Sequence, residues 1–255
     1  MNPINEGILQ DAVRYFPDID RTAKVYRKDG QWLRPGSVPM FYPDFGKTSQ
    51  KVLYVGMNPS LTKQMQDWFI GAHGSDDLLN LGHLVKLGAA KRDEAIGKLV
   101  GFQAALKGRN QVDGGAKRIS YFTALENFHR EVWGESGPEW EHYDIFNYRS
   151  TYQEHLRKTF QKSSLKTSEP LRGFFDSSLN RFAELDRTGG FKCVVVFNAL
   201  ASRYLRENNV LDLGKKKHGS TGNIILAKQL TVGGTTKQER KELVKQMKSM
   251  FGSKV

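Results

Sequence analysis

The sequence predicts an α/β fold: a mostly parallel sheet covered on both sides by helices. Three observations carry that expectation. Short apolar runs rich in β-branched residues occur at 51–55, 193–197 and 224–226, and such runs fit strands buried on both faces. Longer stretches with helical periodicity lie between them, among them 92–106 and 171–185. The links are short, as where Gly189-Gly190 closes one helical segment and the next apolar run follows at once. Strands and helices alternating in this way build a parallel sheet with crossover helices.

In chain order, residues 1–50 are polar and aromatic, with a helix expected around Ile8–Tyr15 and then a largely irregular segment packed over the sheet. Lys51-Val52-Leu53-Tyr54-Val55 reads as a central strand. Gly56 lets the chain turn without a Cβ, and Pro59 forbids a further ladder hydrogen bond. The amide of Asn58 then projects from the carboxyl end of that strand, where open α/β sheets place ligands. The pattern also fits an ordinary strand entering a turn, since Asn-Pro opens turns.

Helical periodicity follows in Asp76–Leu87 and in Arg92–Leu106, where Ile96, Leu99, Val100 and Leu106 share a face. Residues 107–118, rich in Gly, Lys and Arg, read as a surface loop, and 119–143 are aromatic-rich. Leu171–Leu185 is an amphipathic helix burying Leu171, Phe174, Phe175, Phe182 and Leu185. Ala199–Arg206 is expected to be helical. The final helix begins at a capping box, Thr236 with Glu239, and buries Leu243, Val244, Met247 and Phe251. No Pro/Gly/Ser-rich linker separates the strands. A single domain over 1–255 is expected, with 1–50 as an irregular N-terminal segment on a 51–251 core.

Bulk properties narrow the function. At 255 residues and 38% hydrophobic content the chain can bury a core without disulfides or metals. No apolar stretch approaches the ~20 residues of a membrane span. The first residues lack a basic region followed by an apolar one, so a soluble, cytoplasmic protein is expected. The single cysteine, Cys193, lies in a strand run; it excludes an intramolecular disulfide and any multi-cysteine zinc or iron–sulfur site. The histidines show no metal spacing on one helix, and no Ser-His-Asp order or phosphate-loop glycine pattern stands out. No metal or other cofactor is expected. Net charge is +12, and residues 191–255 hold 13 Lys or Arg against 4 Asp or Glu. A basic lobe suits a polyanion, most simply nucleic acid, although a solubilising face has the same composition.

Gly56-Met57-Asn58-Pro59 resembles the first active-site motif of the uracil-DNA glycosylase superfamily, closest to the single-strand-selective and mismatch-specific branches. Asp144-Ile145-Phe146-Asn147-Tyr148-Arg149 looks like the second strand of that family, which ends in a base-reading asparagine. Cys193–Ala199 is similar to its third strand, and Ile224–Thr231 sits where the fourth strand and second motif belong. The four elements, in the right order, cover roughly residues 50 to 250. Ser60 departs from the glycine that usually closes the first motif, and Gln229-Leu230-Thr231 replaces H-P-S or N-P-S, so no imidazole stands there.

The resemblance implies a three-layer α/β/α sandwich with a central, mostly parallel four-stranded sheet, and a monofunctional DNA glycosylase. Asn58 orients the attacking water, and Gln229 donates to the leaving base. Asn147 reads the base edge; Met57 and an aromatic floor from Trp68 or Phe69 surround it. Leu230 or Val232 wedges into the gap left by the everted nucleotide. Ser60, Thr231 and the backbone N–H groups of Gly233 and Gly234 hold DNA phosphates, with Lys215, Lys216, Lys217 and Lys228 adding sequence-independent attraction. The base is uracil, a mismatched pyrimidine or a modified cytosine, the last fitting a role in defence against phages as well as repair. The partner is DNA and the protein is expected to act as a monomer. The alternative is a non-catalytic DNA-binding protein of the same fold; a hydrolase of small nucleosides suits the basic lobe less well.

Overall fold

The computed structural model describes residues 1–24, 36–45, 51–57, 59, 62–108, 120–149, 171–208, 220–221, 223–228, 230 and 235–252. Strand β1, Val52–Gly56, is buried along its whole length and is paired on both sides. On one side β2, Trp140–Asp144, runs parallel to it, with Val52 opposite Trp140 and Gly56 opposite Asp144. On the other, β3, Cys193–Phe197, runs parallel with Val52 opposite Cys193. Beyond β3 lie β5, Ile224–Ala227, again parallel, and the two-residue β4, Ser220–Thr221, which pairs antiparallel with β5. The order is β2-β1-β3-β5-β4. The expected parallel core of four strands is present, with β4 added at one edge.

The second strand corrects the sequence expectation. It ends at Asp144, and the run Ile145–Arg149 follows it as irregular chain. That run is as buried as a strand, which is why its apolar residues read as one. It is held by other means. Phe146 stacks on Phe175 at 5.3 Å, the Tyr148 hydroxyl donates to Asp20 at 2.6 Å, and Arg149 Nε donates to the Val38 carbonyl. Apolarity reports burial, not ladder pairing.

Chain contacts divide the molecule into two compact units, each assembled from three segments. One comprises Phe45–Met57, Ser120–Ile145 and Phe182–Val255; the other comprises Met1–Asp44, Asn58–Ile119 and Phe146–Arg181.

The unit that contains the sheet packs aromatics on both of its faces. Residues alternate sides along a strand. Tyr54, Trp140 and Phe197 therefore share a side, and there Tyr54 meets Phe128 and His129 of helix α5, Ser120–Trp133. His129 is spent on this packing: its Nδ1 lies 2.9 Å from the Tyr54 hydroxyl and its Nε2 lies 2.8 Å from the Pro138 carbonyl. The opposite side carries Tyr143, stacked on Phe182 and edge-on to Phe45. Phe182 belongs to helix α6, Leu171–Gly189. Gly190 ends that helix at φ +65°, a left-handed conformation that glycine adopts without a Cβ penalty. Cys193 is fully buried and its thiol is pushed up to about 12 by burial, so it behaves as a small core hydrophobe.

Two further helices close this unit. Helix α7, Ala199–Glu207, starts directly after β3 because the Asn198 side chain accepts from the N–H groups of Leu200 and Ala201, both at 2.9 Å. Helix α8, Lys237–Met250, begins at the expected capping box: Thr236 Oγ1 accepts from the Glu239 N–H and Glu239 Oε2 accepts from the Thr236 N–H. Leu243 and Met247 are its buried residues.

In the other unit, helix α1, Pro3–Lys24, outruns the expected Ile8–Tyr15 and continues through Pro17. Proline removes one intrahelical bond; Phe16, buried edge-on between Tyr148 and Phe174, and the buried Ile19 offset it. Helix α2 is Lys63–His73. The expected helix over Asp76–Leu87 is broken into a 3-10 turn, Asp77–Leu79, and helix α3, Leu81–Lys86. The break sits at Asn80, whose side chain accepts from the His83 N–H at 3.1 Å and so caps α3. Helix α4 is Ala89–Leu106. The polar centre of this unit is Arg181. It donates to Asp11, to Asn147 Oδ1 at 3.2 Å and to the Gly7 carbonyl at 3.2 Å, and Ser177 bonds the same Asp11 carboxylate.

Candidate functional site

The strand order changes direction at the centre of the sheet. From β1 the chain proceeds to a strand on one side, and from β3 to a strand on the other. The carboxyl ends of β1 and β3 are thus a topological switch point, the place where open α/β sheets bind ligands. Gly56 is the last residue of β1, and Met57 follows it, buried. Asn198, at the end of β3, is already committed to capping α7.

Three polar side chains gather on Gly56. His142 and Asp144 lie two apart on β2 and share the side of the sheet that bears Tyr54 and Gly56. Tyr121 reaches them from the first turn of α5. The Tyr121 hydroxyl is 3.3 Å from His142 Nε2, and that nitrogen is 3.7 Å from Asp144 Oδ1. A methyl group built on Gly56 would sit 2.3 Å from Asp144 Oδ1 and 3.3 Å from both His142 Nε2 and the Tyr121 hydroxyl. Only glycine at position 56 lets the carboxylate come this close to the strand. His142 and Asp144 are buried. The Tyr121 phenol is held well above its ordinary pKa, first by burial and then by the Asp144 carboxylate, so it remains a hydrogen-bond donor at any physiological pH.

The sequence-derived candidates fare unevenly. Asn58, Ser60, Gln229, Thr231, Val232, Gly233, Gly234 and Lys215–Lys217 lie outside the described residues. Asn147 does not end β2; it is buried three residues beyond, its amide donating to the Tyr42 hydroxyl at 3.2 Å and accepting from Arg181. To read a base it would have to exchange one of those bonds. Phe69 is fully buried against Phe102 at 5.1 Å and His73 at 4.4 Å, within the packing of α2 and α4, and has no face to offer a base. Trp68 is half-buried, as is Leu230.

Lys228 is not a free cation. It pairs with Glu239 at 2.6 Å, tying the end of β5 to the capping box of α8. That pair, with the Thr236 bonds, brings the Glu239 carboxyl down to about 2. A depressed carboxylate stabilises above its unfolded value, about 4.5, and the contribution is lost as pH falls toward 2. Titration of Glu239 followed by NMR is expected to show the Thr236 amide shifting with a midpoint of about 2; a midpoint near 4.5 would mean the pair is not formed in solution.

Reasoning from sequence assigned Tyr121, His142 and Asp144 no role in the site. The signal that could have found two of them is the alternation in Trp140-Glu141-His142-Tyr143-Asp144, which places the imidazole and the carboxylate on one side of a strand. Among the described residues no group of three or more His, Cys, Asp or Glu is arranged to hold a metal ion, and no helix is long and apolar enough to cross a membrane. Comparison of the chain with protein-family models, with curated proteins and with solved structures found no match.

Proposed function

We propose that the chain is a monofunctional DNA glycosylase with the three-layer fold of the uracil-DNA glycosylase superfamily. It everts a pyrimidine-type base and hydrolyses its N-glycosidic bond. The observation that carries this reading is the location of the G-M-N-P sequence. Its first residue, Gly56, ends the central strand β1 at the switch point between β1 and β3, beside the cluster of Tyr121, His142 and Asp144. Breaking the C1′–N bond develops positive charge on the sugar and negative charge on the base, so an everted nucleotide, a placed water and aimed donors are what the site must provide. Asn58 orients the water through its side-chain carbonyl, and Gln229 supports the departing base by donating from its amide.

A second feature favours DNA as partner. Lys237, Lys241, Lys245 and Lys248 recur along one side of α8, at helical spacings that keep all four within an arc of about 80°. Among the described residues none of them forms an ion pair. Together they make a stripe of unneutralised charge suited to a phosphate backbone.

The test is incubation with duplexes carrying uracil, a thymine mismatch, hydroxymethylcytosine or its glucosylated form, followed by alkaline cleavage. Strand breaks at one of these positions are expected, together with affinity that falls steeply between ~50 and ~200 mM salt. Asn58→Ala is expected to bind the same duplex and release no base. Salt-dependent binding without breaks on any duplex would instead establish a DNA-binding protein of this fold.

A further inference from the structure

We propose that Asp144 is the catalytic base of this site, held in place by His142 and Tyr121; the inference rests on the glycosylase reading above. An asparagine amide accepts no proton at neutral pH, so a site built on Asn58 alone can orient water but not deprotonate it. The structure puts a carboxylate beside Gly56, at the end of the strand that leads into that segment. Asp144 is the last residue of β2, in register with Gly56, the last residue of β1, two residues before Asn58. Its Oδ1 occupies the space in which any side chain at position 56 would stand. The carboxylate therefore borders the backbone of the motif at the point where it leaves the sheet. Two elements surround it: His142 approaches from the same strand at 3.7 Å, and Tyr121, 3.3 Å from His142, closes the cluster from α5. Three polar groups converging on one point at the carboxyl end of a central strand form a site, whereas a carboxylate ending a strand as a turn would need neither partner.

The reaction balances with these groups. The C1′–N bond breaks and its electron pair leaves with the base. The water oxygen bonds to C1′ and gives one proton to the Asp144 carboxylate. That proton then passes, directly or through solvent, to the released base, which returns Asp144 to its anionic form and leaves an abasic sugar. Before the water attacks, the same anion faces the cationic sugar and lowers the energy of that charge. His142 and Tyr121 are positioning residues: His142 lies beside Asp144, and Tyr121 acts through His142.

The experiment is single-turnover base release on whichever of the four duplexes the wild-type chain processes, with duplex affinity and thermal melting measured in parallel. Asp144→Asn keeps the shape and removes the base; its rate is expected to fall about a hundredfold or more, with affinity and melting close to wild type. Asp144→Ala opens room for a small anion, and added formate is expected to restore part of its lost rate, which a merely structural role would not permit. Should Asp144→Ala fail to melt cooperatively, the Asp144→Asn rate decides. An Asp144→Asn rate within about threefold of wild type overturns the inference, as does a folded Asp144→Ala protein that formate does not rescue. If the wild-type chain releases no base from any duplex, the glycosylase reading falls and this inference with it; if it does release base and Asp144→Asn does so equally well, only the inference falls.

Discussion

Replacing Arg181 with leucine is expected to destabilise the protein by about 3–5 kcal/mol, the usual cost of stranding one member of a buried ion pair. Arg181 and Asp11 are 11% and 13% exposed at their side chains, so water screens the pair little. The guanidinium also bonds Asn147 and the Gly7 carbonyl, and Ser177 shares the Asp11 carboxylate. Leucine would leave Asp11 charged in an apolar setting and release one end of the Asn147 amide. For a chain of this size the loss corresponds to a drop in melting temperature of roughly 10 °C. Arg181→Lys should recover little, since one ammonium cannot span the carboxylate, the amide and the carbonyl that a planar fork reaches together. The double variant Asp11→Leu with Arg181→Leu should recover much of the loss, because an apolar pair removes the stranded charge. A single-variant melting temperature within about 2 °C of wild type would mean that the network contributes nothing to folding.

Arg181 also marks the limit of what could be read in the sequence. The strands β1, β3 and β5 were legible because a continuous β-branched run has few other uses in a soluble chain. The capping box at Thr236 was legible because both partners sit three residues apart. Strand β2 was misplaced by a few residues for a physical reason. Glu141 and His142 interrupt its apolarity, whereas the apolar Ile145, Phe146 and Tyr148 lie beyond the end of the strand. The break at Asn80 was missed because helical periodicity continues across a residue whose side chain caps the next helix.

The candidate site divides along the same line. Gly56-Met57-Asn58-Pro59 is contiguous, so a pattern of residues exposes it. Tyr121, His142 and Asp144 meet only because α5 packs on the edge strand, and no spacing over the 21 residues between Tyr121 and His142 announces that contact. Lys228 looked like a free cation for the equivalent reason, its partner Glu239 lying eleven residues further along the chain. Charge is legible in a sequence, but its neutralisation is a tertiary fact. The unneutralised stripe on α8 follows from the structure, not from the count of lysines.

Gly56→Ala is expected to lower stability by about 1–3 kcal/mol, the range for forcing an extra methyl into a packed site, and to depress the proposed base release as strongly as Asp144→Asn. The added Cβ would stand 2.3 Å from Asp144 Oδ1, and the strand cannot retreat because β1 is hydrogen-bonded on both sides. Relief must come from the carboxylate, which rotates away from the switch point and lengthens its approach to His142. Stability and catalysis should therefore separate in a double-mutant cycle. In an Asp144→Ala background the stability cost of Gly56→Ala should largely vanish, because the atom it collides with is gone. The activity, already lost with the carboxylate, should fall no further. A stability cost that persists without the Asp144 carboxylate would place the strain in the backbone of β1 instead, and would mean that glycine at position 56 serves the turn and not the approach of the acid.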